Sequence, residues 1–347
     1  MQAPEKENAS IKRRATGWVR SYRPMSRSFI QRVIDLLPGS KFVWGTVIAL
    51  VPVAAASLPD AYIATVGEDS LAGRVLAGAV FSYAVALSLF AVAYFDRRVR
   101  EVRRSLSKLT PSDVDLDPFA GYASIVGPLL LTAAFVVATV GRTIVLTDLE
   151  TGLAWLPISI VTNVPLMSAF WLYLVVLLGL RRLSRFDLSL ETFPEDPSLG
   201  LAPAGRLAST AFWIFVAAST PILVVNAGYT LRLILTFGVF IVGVFSFFAS
   251  VWGLHRQLLR AREEHIAHAR HLYAQAYAEV RSGSVESLGR HAHSILAAKA
   301  VEDEARSIQR WPFEDRRFRE IAAIVGTVVT FTGTGIFTRL IYENVIL

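Results

Sequence analysis

The residues best suited to chemistry are six histidines, all between His255 and His293. His265, His268 and His271 recur at i, i+3 and i+6, along one side of a helix. Folding the chain back about Gly283 places His293 near Tyr273, so His271, His291 and His293 could approach one another. Imidazole clusters suit zinc, copper or nickel, and they switch charge near neutral pH. The alternative is a solvated helix that uses histidine among its polar residues. There is no cysteine and no HExxH spacing, so no metal is assigned.

A second constellation lies near the C-terminus. Thr327, Thr330, Thr334 and Thr338 form one helical stripe, and Gly326, Gly333 and Gly335 thin the rest of that segment. Hydroxyls in such a row can line a water-filled path, or they can serve tight small-xxx-small packing between membrane helices. Thr332-Gly333-Thr334-Gly335 is only superficially similar to a potassium-filter loop, because no short pore helix precedes it. Three charges invite an electrostatic reading. Arg142 stands near the end of an apolar block, where ionised groups are costly and often mark pathways. Asp148 and Glu150 are close enough in sequence to neutralise it. Arg339 and Glu343 form an i, i+4 pair. Asn163, between Pro157 and Pro165, suggests a kinked helix of the kind that lines transporter sites. No GxSxG, Walker A, GxGxxG or HExxH pattern occurs, so neither an enzyme nor a cofactor is expected.

The elements that hold these residues follow from composition. Of 347 residues, 53% are hydrophobic and 18% charged, where about 25% charge is usual for a soluble domain. Mean hydropathy is +0.47. The apolar excess lies in long charge-poor blocks, which excludes an ordinary soluble enzyme, a disordered chain and a disulfide scaffold. Crossing a bilayer takes about 20 apolar residues in helix. Seven blocks qualify: 42–59, 75–95, 121–146, 153–180, 207–225, 233–254 and 321–342. The fold expected is an all-α polytopic bundle of about seven spans.

Lys and Arg placement orients it. With the N-terminus inside, 31 of the 35 Lys and Arg lie in inner segments, and Arg74, Arg142, Arg232 and Arg339 fall near outer helix ends. That puts Arg142, Arg339 and Glu343 at the outer mouth. A net charge of +7 then reflects topology and anionic lipid at the inner leaflet. Nucleic acid is not an expected partner, since no DNA- or RNA-reading motif is present. The first apolar block starts behind a basic 41-residue lead, so it is expected to stay as an anchor in the prokaryotic plasma membrane.

Four regions result. Residues 1–41 form a basic segment with an amphipathic stretch in which Phe29, Ile30, Val33, Ile34 and Leu37 share a face. That stretch either lies in the inner interface or packs on the bundle. Residues 42–254 hold six spans. Residues 255–320 form a cytoplasmic hairpin, and 321–347 hold the last span and an outer tail. The hairpin is read from a run without Pro or Gly from His255 to Arg281, in which Leu259, Ile266, Tyr273 and Val280 recur at sevens. Ser282-Gly283-Ser284 breaks the run, and a second helix returns to about Arg310. Each arm is about 40 Å long. Reflection about Gly283 sets Arg262 opposite Glu304, and Trp311-Pro312-Phe313 makes an elbow into the last span.

Three stretches resemble a broad, largely uncharacterised group of prokaryotic polytopic membrane proteins. The segment from Glu195 to Gly205, EDPSLGLAPAG, is similar to a PDxxGGLxPLG cytoplasmic loop, with one of the paired glycines missing and Ala204 in place of leucine. Trp252-Gly253-Leu254-His255-Arg256-Gln257-Leu258 is similar to a WxLHxxM helix exit, and Trp311-Pro312-Phe313 to a WPFD elbow. The resemblance implies an architecture that keeps the cytoplasmic hairpin, and it implies no activity. Two functions compete: a homo-oligomeric channel gated through the hairpin, and a non-conducting anchor or sensor whose hairpin binds a cytoplasmic protein or small ligand. Small-solute transport ranks third.

Overall fold

The structure is a computed structural model that describes residues 28–38, 40–56, 70–106, 118–119, 121–146, 148–185, 198–228, 230–282, 285–313 and 315–341. Among these residues there are nine α-helices and no strand. They are α1 (Phe29–Leu36), α2 (Lys41–Ala55), α3 (Leu71–Leu106), α4 (Val126–Leu146), α5 (Leu149–Leu183), α6 (Ala202–Val225), α7 (Thr230–Ser282), α8 (Val285–Ser307) and α9 (Asp315–Ile341). Six of them, α3 to α7 and α9, are long and apolar enough to cross a membrane. Positions 57–59 lie outside the described residues, among which the block expected as a first span gives the 15 residues of α2. That is about 22 Å, short of a hydrocarbon core of about 30 Å. α1 and α2 meet at 111° and reach span length only as a pair.

Local sequence sets the ends. α4 begins at Val126 rather than at Gly121, because Gly121 turns the chain with φ +99°. Pro128 then falls in the first turn, where a missing N–H costs nothing. α5 starts at Leu149 because the Asp148 carboxylate caps it, accepting from Thr151 N–H (2.7 Å) and Thr151 Oγ1 (3.1 Å). Those bonds hold the carboxyl below its ordinary range. Pro157 and Pro165 both lie inside the unbroken α5, and Asn163 Nδ2 donates back to Ser159 O (2.9 Å). α7 has no proline in 53 residues, so it continues far beyond the apolar block.

The core lies where α5, α6 and α7 meet α3. Without a hydrophobic drive inside lipid, close packing must hold such a bundle together. Tyr173 of α5 stacks on Phe215 of α6 (4.8 Å), and Phe215 stacks on Phe240 of α7 (6.0 Å). The Tyr173 hydroxyl donates to Gly243 O (2.9 Å). A second, smaller cluster joins Ala55, Ala77, Val136, Val140 and Trp155. α8 folds back along α7 with Ala269, Ala298 and Ala305 buried in the seam. Arg262 reaches past Glu304 and donates to Arg306 O (3.2 Å). Glu302 instead gathers Arg306 (2.7 Å) and Arg270 (3.9 Å).

Candidate functional site at the root of the hairpin

Residues 198–205, 252–258 and 311–313 are far apart in sequence and come together in space. The first is the turn that leads into α6. Leu199 (φ 54°) and Gly200 (φ 84°) are both left-handed, and Leu201 N–H closes the turn onto Ser198 O (3.0 Å). Leucine is unfavourable in that region, but its side chain is 1% exposed and anchored in the core. Four residues on, Gly205 lies directly under the elbow. A Cβ there would come within 1.6 Å of Pro312 O and 2.4 Å of Pro312 C.

The second segment is the point where α7 leaves its apolar block. The His255 ring stacks on Trp311 (4.0 Å, 17°) and lies 5.2 Å from Trp252. Its Nδ1–H donates to Arg310 O (2.6 Å). Gly253 fits against Ser184 at the end of α5, where a Cβ would come within 2.2 Å of Oγ. Gln257 Nε2 donates to Ser184 O (3.1 Å). The third segment is the elbow itself. Trp311 stacks on Phe318 of α9 (4.5 Å), and Phe313 stacks on Phe247 of α7 (6.4 Å). Arg256 lies over Trp252 (5.9 Å). The root thus ties the ends of α5, α6, α8 and α9 to one stretch of α7, through aromatic faces and backbone carbonyls. Its contacts are ring stacks and hydrogen bonds to backbone carbonyls.

The residues singled out by spacing sit elsewhere. Thr327, Thr330, Thr334 and Thr338 are all exposed along α9. Thr327 Oγ1 donates to Ala323 O (2.9 Å). A Cβ at Gly326, Gly333 or Gly335 would meet nothing within 4 Å. Only 11% of the apolar window of α9 is buried, against 44% for α5. Arg142 is exposed near the end of α4, and among the described residues it has no ion pair with Asp148 or Glu150, since Asp148 is engaged as the cap of α5. Arg339 is half-buried, and Glu343 lies outside the described residues. His265 is half-buried, His268, His271 and His293 are exposed, and the side chain of His291 lies outside the described residues. Among the described residues no three His, Asp or Glu side chains converge as a metal site.

His255 is the histidine at this junction, and helical spacing among the histidines does not single it out. The sequence signal for it is its place three residues after Trp252. Comparisons with protein-family models, curated proteins and solved structures return no match.

Proposed function

We propose that the protein is a homo-oligomeric, channel-like membrane protein. Its α9 helices face one another, and its cytoplasmic hairpin controls their spacing. The observation that carries this reading is α9, the least buried of the six long apolar helices, with a stripe of threonine hydroxyls that is exposed among the described residues. Such a face gains little from lipid, whereas a neighbouring helix could approach it closely. The inward Lys and Arg excess supports an N-terminus inside and a hairpin in the cytoplasm. On this reading the bent α1–α2 pair supplies a seventh span, the membrane is the prokaryotic plasma membrane, and Arg142, Arg339 and Glu343 ring the outer mouth. Continuity from α7 through the elbow to α9 supports gating by the hairpin.

Two measurements test the proposal together: the mass of the purified assembly and its conductance in a planar bilayer. Replacing the four stripe threonines with alanine separates two roles. A pore keeps its assembly and changes conductance, while a packing face loses assembly. A stable oligomer that never conducts refutes the channel. The sensor reading is favoured by the exposed apolar surface on the hairpin. Tyr273 stacks on Tyr277 (6.3 Å), and Leu296 and Val301 are exposed. One stoichiometric partner, lost on deleting residues 256–310, would establish that alternative. Solute transport ranks behind both, because the Asn163 amide is engaged within α5.

A further inference from the structure

A groove of about 760 Å³ runs between the bent α1–α2 pair and α3, and its chemistry differs at its two ends. One end is ionic. Gln31 and Asp35 share a face of α1, Lys41 opens α2, and Asp96 and Arg100 come from α3. The other end is apolar, lined by Ala49 and Leu50 of α2 and by Ala86, Leu89 and Phe90 of α3. Phe42, Leu50 and Phe90 are exposed along it. From Ala86 to Arg100 the wall of α3 is about 21 Å long. One leaflet with its headgroup layer measures about 20–22 Å. We propose that this groove holds one phospholipid of the phosphatidylethanolamine type, with its headgroup at the ionic end and one acyl chain along α2 and α3. The second chain rests in the surrounding bilayer, because the volume suits one small-molecule-sized ligand rather than a whole diacyl lipid.

The charges choose the headgroup. Lys41 pairs with Asp35, and Arg100 pairs with Asp96 (3.0 Å), so the ionic end carries two cations, two anions and no net charge. Asp96 is 5% exposed and also accepts from the Tyr122 hydroxyl (3.3 Å), which fixes its carboxylate in place. A purely anionic headgroup would bring its phosphate to two carboxylates with hydroxyl donors at most and no cation to offer them. A headgroup with both charges matches the alternation, with phosphate toward Lys41 and Arg100 and ammonium toward Asp35 and Asp96. Donor count adds a further preference. A primary ammonium has three N–H donors to share between the Asp35 and Asp96 carboxylates. A trimethylated choline has none. The site therefore reads charge pattern at one end and donor count within it.

The bend that forms the groove is itself held by polar contacts. Lys41 bridges to Asp35 across it, and the Trp44 indole donates to Pro38 O (2.6 Å). Further along, beyond Pro52, Val53 N–H donates to Ser82 Oγ of α3 (3.3 Å). The groove wall is thus fixed at both ends before any lipid enters.

The experiment is native mass spectrometry of the full-length, delipidated protein. Phosphatidylethanolamine, phosphatidylcholine and phosphatidylglycerol of matched chains are added singly, and thermal midpoints are measured in parallel. The expected result is one phosphatidylethanolamine per protomer, retained roughly tenfold more strongly than either competitor, with a raised midpoint. Ala93→Phe fills the groove from the α3 wall, and Ala49→Phe fills it from α2. Each should abolish that adduct while helicity and oligomer mass stay as in the parent. Equal or stronger retention of phosphatidylglycerol or phosphatidylcholine overturns the headgroup assignment. Undiminished phosphatidylethanolamine retention in both well-folded filled variants overturns the site.

Discussion

Gly205→Ala is the sharpest perturbation the hairpin root offers. The added Cβ would lie 1.6 Å from Pro312 O and 2.4 Å from Pro312 C, both backbone atoms that no rotamer change can move. Restoring an ordinary contact takes a shift of about 1.5 Å between α6 and the elbow, and overpacking of this kind costs about 1–3 kcal/mol. The upper end applies here, because Phe313 (4% exposed) and Leu201 (0%) are fixed in the core on either side. At about 1.4 °C per kcal/mol for a chain of 347 residues, the thermal midpoint in nanodiscs should fall by about 3–4 °C. Amide exchange should quicken first at residues 308–313 and 318–325, where the stack of Trp311 on Phe318 must give. Gly238→Ala, in α7 and away from α9, is the matched control, since among the described residues nothing lies within 4 Å of its Cβ. A mid-helix Gly→Ala change normally gains about 0.5–1 kcal/mol. The reasoning is refuted if Gly205→Ala melts with the parent and its elbow exchanges at the parent rate.

Other outcomes follow from the same geometry. Tyr173→Phe removes the bond to Gly243 O but keeps the ring stack, so unfolding should become easier by about 0.6–1 kcal/mol, with assembly unchanged. A double-mutant cycle on Arg270 and Glu302 should return a coupling of only about 0–1 kcal/mol, because the guanidinium is mostly exposed and 3.9 Å away. His255→Ala should loosen the elbow more than His255→Phe, since phenylalanine keeps the stack on Trp311 and loses only the bond to Arg310 O. Hydrogen exchange at residues 308–313 would show the order. The Asp148 carboxyl is held below its ordinary range by Thr151, so the cap stabilises α5 above the ordinary carboxylate pKa and its contribution disappears as pH falls through the depressed value. Parent and Asp148→Ala should therefore differ in thermal midpoint at neutral pH and converge in acid.

Much of the architecture could be read from the sequence, because bilayer length and helical period constrain it strongly. The charge-free blocks around Val92, Leu177, Phe212 and Phe247 became the core helices, and the Pro- and Gly-free run after His255 continued α7 without a break. Boundaries were less legible. Asp148 starts α5 four residues before its apolar block, and α3 continues to Leu106 because its arginines suit a helix leaving the apolar zone as well as a loop. The site was only partly visible. Periodicity found the threonine stripe, since a stripe is local. It could not place Gly205 under Pro312 or bring Trp252, His255 and Trp311 together, because those contacts span about fifty to a hundred residues and depend on how three helices cross. The groove beside α3 was invisible for a similar reason: it exists only because α1 and α2 meet at a bend.

The unbroken course of α7 has a mechanical consequence. Leu254 and Leu258 are fully buried where the helix leaves the bundle, and from there to Ser282 it runs for about 42 Å. A helix pinned at one end is a lever. A tilt of about 5° at Trp252 sweeps the tip through roughly 4 Å while moving the pinned residues by a fraction of an ångström. Read in the other direction, a weak force at the tip becomes a strong torque on Trp311, Pro312 and the first turn of α9. On the proposed channel reading, a ligand or neighbour that touches only the far end of the hairpin would have a mechanical advantage over α9.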